Sequence, residues 1–189
     1  MKKIIALLLV LCLLPVLAGC GFAASEPDEE AAKLRVQPLE GEPKEPDTRG
    51  LKHYELDNGI SFYATGGMKE IEVEGMAVNM KNNYFVVMVI EEPKKGTILE
   101  DMDLESYGAM LAQNNGLEPF SLDTYGNYAT VNIANVYESE DLFFYYVTVR
   151  ETENSIWLIQ IACPDELAAS NMDQMAQWSA SFRFPEGSY

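Results

Sequence analysis

Between residues 51 and 184 short apolar runs alternate with short polar breaks, which is the rhythm of strands joined by tight turns. The first pattern is a hairpin: residues 51–56, the turn Asp57-Asn58-Gly59, then residues 60–63, with Asn-Gly supplying the positive φ angles a tight turn needs. A second pair runs from 71–80 through Lys81-Asn82-Asn83 into 84–90. That latter run, Tyr-Phe-Val-Val-Met-Val-Ile, is apolar on both faces, as a central strand is, and Pro93 and Gly96 end it. The period then changes to that of a helix over 104–114, with Asp103 as N-cap, Asn115-Gly116 as the stop, and Leu104, Tyr107 and Leu111 on one face. Strands resume at 128–137, 142–150 and 156–163. The breaks at 138–141 and 152–155 are short, so these three make an antiparallel meander. A final helix is predicted over 171–180 with Met172, Met175, Ala176 and Ser179 inward and Trp178 flanking them, followed by a short strand or extended tail over 181–184. The order strands, helix, strands, helix predicts an α+β domain: a largely antiparallel sheet with helices packed on it.

That order, the Asn58-Gly59-Ile60 opening, the run Ile-Trp-Leu-Ile-Gln-Ile-Ala-Cys before the last helix, and Trp178-Ser179-Ala180-Ser181-Phe182 at its end resemble the PsbP-like family over roughly 51–184. The resemblance implies an α/β/α sandwich and, for most relatives, a binding or assembly role without catalysis. No position matches the functional residues of the better-known members, so none is carried over.

Ahead of the domain, Lys2 and Lys3 precede an apolar stretch over 4–14 that Pro15 breaks. This is the layout of an export signal, shorter than the roughly 18 to 20 apolar residues of a membrane-crossing helix. Leu17-Ala18-Gly19-Cys20 then resembles the lipobox of bacterial lipoproteins. The resemblance implies cleavage between Gly19 and Cys20, a palmitate-class lipid on Cys20, and a protein held at the extracytoplasmic face of a cell membrane in the cell envelope. A transmembrane anchor and an ordinary secretory signal with a chance cysteine are the alternatives. The expected organisation is therefore a signal peptide over 1–19, the lipidated Cys20 with an acidic linker over 20–50, and a single globular domain over 51–189. Four prolines and eight acids populate 21–50, a composition too polar to form a core. Stretched, those thirty residues reach about 100 Å; as a coil they average about 30 Å.

Losing the signal changes the cysteine and charge accounts. Cys12 departs and Cys20 is lipidated, so Cys163 stays alone without a disulfide partner; its apolar run marks it as a buried small hydrophobe rather than a nucleophile. The formal charge of the whole chain is −17. Without Lys2 and Lys3, 11 basic residues face 30 acidic ones, a balance of −19 that repels nucleic acid and anionic lipid headgroups.

Catalytic and metal chemistry find little to use. The single His53 has no local acid or nucleophile to make a triad, and one His with one Cys does not assemble a zinc site. Glu100, Asp101, Asp103 and Glu105 could offer oxygens to calcium, but they lack the glycine and spacing of an EF-hand loop and stand where a helix N-terminus attracts carboxylates anyway. Glu138, Glu140 and Asp141 read as turn acids, though a small hydrolase could recruit them. Gly66-Gly67 is too short to signal a phosphate loop. Phe143, Phe144, Tyr145 and Tyr146, with Trp157 on the neighbouring strand, form the most aromatic patch, expected under a helix rather than open to a partner. The sequence therefore points to a non-enzymatic binding or assembly module without cofactor or metal, meeting a membrane through Cys20 and an envelope protein through its surface. A small-ligand or calcium-binding lipoprotein is the alternative, with a small envelope hydrolase behind it.

Overall fold

The structure is a computed structural model that describes residues 34–135 and 141–185. Its centre is a seven-stranded antiparallel sheet of β3 (Lys69–Glu70), β4 (Val78–Lys81), β5 (Val86–Pro93), β6 (Ser121–Leu122), β7 (Tyr128–Asn135), β8 (Leu142–Glu151) and β9 (Ser155–Pro164). The spatial order is β3-β4-β5-β9-β8-β7-β6, so the last strand in sequence lies in the middle. That position explains its composition. Every residue of β9 from Ser155 to Cys163 is buried, because a helix layer covers each face. The meander β7-β8-β9 is present as expected, and β5 pairs with β9 through Val87 opposite Ile161.

Helix α1 (Leu104–Asn115) covers one face. Tyr107 and Leu111 pack with Val147, Val149, Ile156 and Leu158, and Leu104 is half-buried beside them. Its ends are those the sequence marks: the Asp103 carboxylate accepts from Ser106 N at 2.7 Å, and Gly116 closes the last turn at φ 63°, a left-handed conformation in which a side chain would be strained. Helix α2 (Ala168–Ser181) covers the other face after a short 3₁₀ turn, Asp165–Leu167. It begins three residues before the predicted start. Trp178 does not flank its inner side; it is fully buried and edge-on to Phe85 at 4.8 Å.

The hairpin β1 (Lys52–Glu55) and β2 (Ser61–Ala64) forms a separate two-stranded sheet beside α2. Phe62 stacks on Phe182 at 4.5 Å, and Ser61 exchanges two backbone hydrogen bonds with Arg183. The tail after α2 is thus extended from Phe182, whereas Ser181 still belongs to the helix. The fold is α+β, with the sheet sandwiched between α1 and α2.

Three local expectations need correction. Pairing in the second hairpin starts at Val78, not residue 71, because the chain turns at Glu74-Gly75. Strands β3 and β6, two residues each, carry no alternation long enough to read. The linker expected to reach Gly50 is an extended strap from Leu34 onward, lying on the domain. Leu34 and Val36 pack against the α2-face core, Leu39 N donates to Leu122 O at 2.8 Å, and Lys44 N donates to Thr124 O at 2.9 Å. The backbone supplies these bonds, so the acidic side chains do not prevent them.

Candidate functional site

Where the strap crosses the sheet, a polar network is buried beneath it. Its root is the turn Asp123-Thr124-Tyr125-Gly126-Asn127 between β6 and β7. The Asp123 carboxylate accepts from Tyr125 N and Asn127 N through Oδ1, each at 2.8 Å, and from Asn127 Nδ2 and the Tyr146 hydroxyl through Oδ2. Gly126 completes the turn at φ 76°. Pro43 of the strap stands 3.2 Å from where a Cβ would be, so the strap leaves no room for a larger residue.

Asn127 passes the network on. Its Nδ2 donates to Ala176 O of α2 at 3.1 Å, and its Oδ1 accepts from Arg150 at 2.8 Å. Asp123, Asn127 and Tyr146 are each at most 2 % exposed. A carboxylate so deep is sustained by its four donors and by the Arg150 cation beyond Asn127. Burial and the Asp123 charge hold the Tyr146 phenol well above its ordinary pKa, so it remains a proton donor. Nearer the surface, the Tyr125 hydroxyl donates to Asp173 at 2.8 Å, Gln177 donates to the other Asp173 oxygen at 2.7 Å, and Asp47 N of the strap donates to Gln177 at 3.2 Å. The arrangement fastens turn, helix and strap to β8.

Two small cavities open beside it. One, of about 150 Å³, lies between the strap and α2, with Gln37, Asp123, Tyr146 and Asp173 among its walls; the other, of about 100 Å³, lies between Val36 and Thr130. Both carboxylate oxygens of Asp123 are already engaged, so the carboxylate anchors the turn rather than offering an open ligand position.

The residues singled out in the sequence do not converge. Gly19 and Cys20 lie outside the described residues, as do Glu138 and Glu140. His53 is exposed on β1 with its ring 4.6 Å from that of Tyr63. Cys163 is fully buried, and burial pushes its thiol up to about 11, which suits a core residue rather than a nucleophile. In the acidic cluster, Glu100 accepts from Gly96 N at 2.9 Å while Asp103 caps α1, and that cap lowers the Asp103 pKa. Among the described residues no three His, Cys, Asp or Glu side chains are arranged to hold a metal ion. The aromatic patch divides between the two faces: Phe144, Tyr146 and Trp157 are buried on the α2 face, while Phe143 and Tyr145 are half-buried on the other. The network itself escaped the sequence reading. The only local sign was the Asp-x-x-Gly-Asn turn, in which an Asp side chain bonds backbone amides two and four residues on.

No protein-family model matches the chain, and no curated protein does. Among solved structures, it is similar to the solution structure of cyanobacterial PsbP from Synechocystis, with a TM-score of 0.45 and 11 % identity over 77 % of this chain and 98 % of that one. It is also similar to a crystal structure from Bacteroides thetaiotaomicron, with a TM-score of 0.44 and 13 % identity over 68 % of this chain and 46 % of that one. A PsbP protein, from the family that the element order resembles, is thus among the structures similar to this chain.

Proposed function

We propose that the chain is an extracytoplasmic lipoprotein, anchored through Cys20, that works as a non-catalytic binding or assembly module through protein contacts. The observation that carries this reading is Leu17-Ala18-Gly19-Cys20 behind a charged and then apolar leader. The strap sets the geometry. Because the chain is already on the domain at Leu34, the tether from Cys20 can be no longer than fourteen residues, at most about 50 Å, well short of the reach of a linker running to Gly50.

Metabolic labelling with a palmitate analogue tests the anchor. The chain should be labelled and sediment with membranes, Cys20→Ser should abolish both, and an inhibitor of the lipoprotein signal peptidase should cause the unprocessed form to accumulate. Labelling that persists in Cys20→Ser would refute the assignment. For the second half of the reading, in-cell crosslinking of the anchored chain should return a reproducible envelope partner; its consistent absence would overturn the assembly role.

A further inference from the structure

We propose that Arg150 and Arg183 form a binding site for a small oxyanion of the carboxylate or phosphate class. Both guanidinium groups donate to one oxygen, the Phe182 carbonyl: Arg183 at 2.8 Å and Arg150 at 3.3 Å. Two nitrogens at those distances from a common atom are no more than 6.1 Å apart. Two like charges are therefore juxtaposed in a chain with 30 acidic and 13 basic residues, where an acidic neighbour would be the ordinary choice. Among the described residues neither arginine forms an ion pair; the pairs there are Arg49 with Asp47 and Lys94 with Glu151. Asp123 acts on Arg150 only across Asn127, because its own oxygens are taken by Tyr125, Asn127 and Tyr146.

The free donors have the right shape. Arg183 spends one terminal nitrogen on Ala180 O and Phe182 O, leaving its Nε and second terminal nitrogen without a protein partner among the described residues. That edge of the guanidinium is the one that takes a carboxylate or phosphate in two parallel hydrogen bonds. Arg183 is exposed, so the edge can be reached, whereas Arg150 is half-buried and fixed by Asn127. Burial and the nearby Arg183 charge both lower the pKa of Arg150, the direction a bound anion would reverse. The proposal does not depend on lipidation of Cys20.

The test is a titration of the full chain in nonionic detergent micelles with phosphate, sulfate or acetate, with chloride holding ionic strength constant. The Nε–H resonances of both arginines should shift and saturate, and the melting temperature should rise to a plateau. Arg183→Gln should weaken binding at least tenfold, while Arg183→Lys, which keeps the charge and loses the fork, should fall between. Saturation by phosphate and sulfate alone assigns a tetrahedral oxyanion, and saturation by acetate too assigns a carboxylate; either supports the site. A non-saturating response, or one unchanged in Arg183→Gln and Arg183→Lys, would mean that the two arginines only cap the end of α2, and would overturn the proposal.

Discussion

The two faces of the sheet are built from different materials. On the α2 face, twenty-two buried residues of the described chain form one cluster that draws in the hairpin and meets the strap, with the Asp123 network running through its margin. On the α1 face, nine buried residues form the second cluster, beneath a single helix. Stacked rings tie the first together: Tyr54 on Phe62, Phe62 on Phe182, Phe182 against Phe184, and Phe184 on Trp157 at 4.4 Å. Each face keeps a buried polar atom without a hydrogen bond of good geometry: the Trp178 indole N–H on the α2 side and, on the α1 side, the Tyr107 hydroxyl, which faces Glu92. The contrast teaches that the domain's stability is lodged on the α2 side, where four segments distant in sequence meet, while α1 is a lid held by its own ends and a narrow apolar strip.

Substitutions of graded severity can break that comparison. The largest effect is expected from Trp178→Ala, which empties the fully buried centre of the α2 face and should cost about 3–5 kcal/mol in urea unfolding. A loss no greater than that of an α1-face truncation would end the asymmetry. Asp123→Ala comes next: it leaves Tyr146, Asn127 and the Tyr125 amide without their acceptor, and about 2–4 kcal/mol should go, together with protease protection of residues 34–50. If the strap stays protected, the network does not fasten it. On the other face, Leu111→Ala should cost about 2–3 kcal/mol, and hydrogen exchange should quicken in α1 while β1, β2 and α2 stay protected. Equal acceleration on both sides would show one cooperative unit instead of two.

The smallest effect is a pH dependence. Burial raises the Glu92 carboxyl above its ordinary 4.5, so the folded state holds its proton longer than the unfolded chain does. Stability from this group is fully present below 4.5 and declines as pH rises through the higher folded value. Glu92→Gln should remove that decline and raise the neutral-pH melting temperature slightly; a variant whose pH profile matches the parent would show that Glu92 is solvated.

The same contrast explains what the sequence disclosed. Helix α1 was legible to within a residue because its ends are chemical signals, Asp103 and Gly116, that work locally. Strands β8 and β9 were legible because strands covered on both faces are built mostly of apolar residues. The start of α2 was misplaced because no side chain caps it and a 3₁₀ turn leads in. The strap was missed because its hydrogen bonds to the β6–β7 region are made by backbone groups at Leu39 and Lys44, which any residue type could supply. The candidate site was missed for a related reason. Asp123, Tyr146 and Arg150 meet only after β7 and β8 pair, and the sequence spacing carries no trace of that.

Trp178 and Trp157, the chain's two tryptophans, both belong to the α2 face. Intrinsic tryptophan fluorescence is therefore an observer stationed on one side of the sheet. Its colour will follow the hairpin, the final helix and the ring stack as they come apart, and it will stay nearly constant if α1 alone lifts away. A melting curve followed at 295 nm excitation and one followed by far-ultraviolet circular dichroism should separate wherever the thinner layer yields first, so a disagreement between two routine instruments would measure the independence of the two faces.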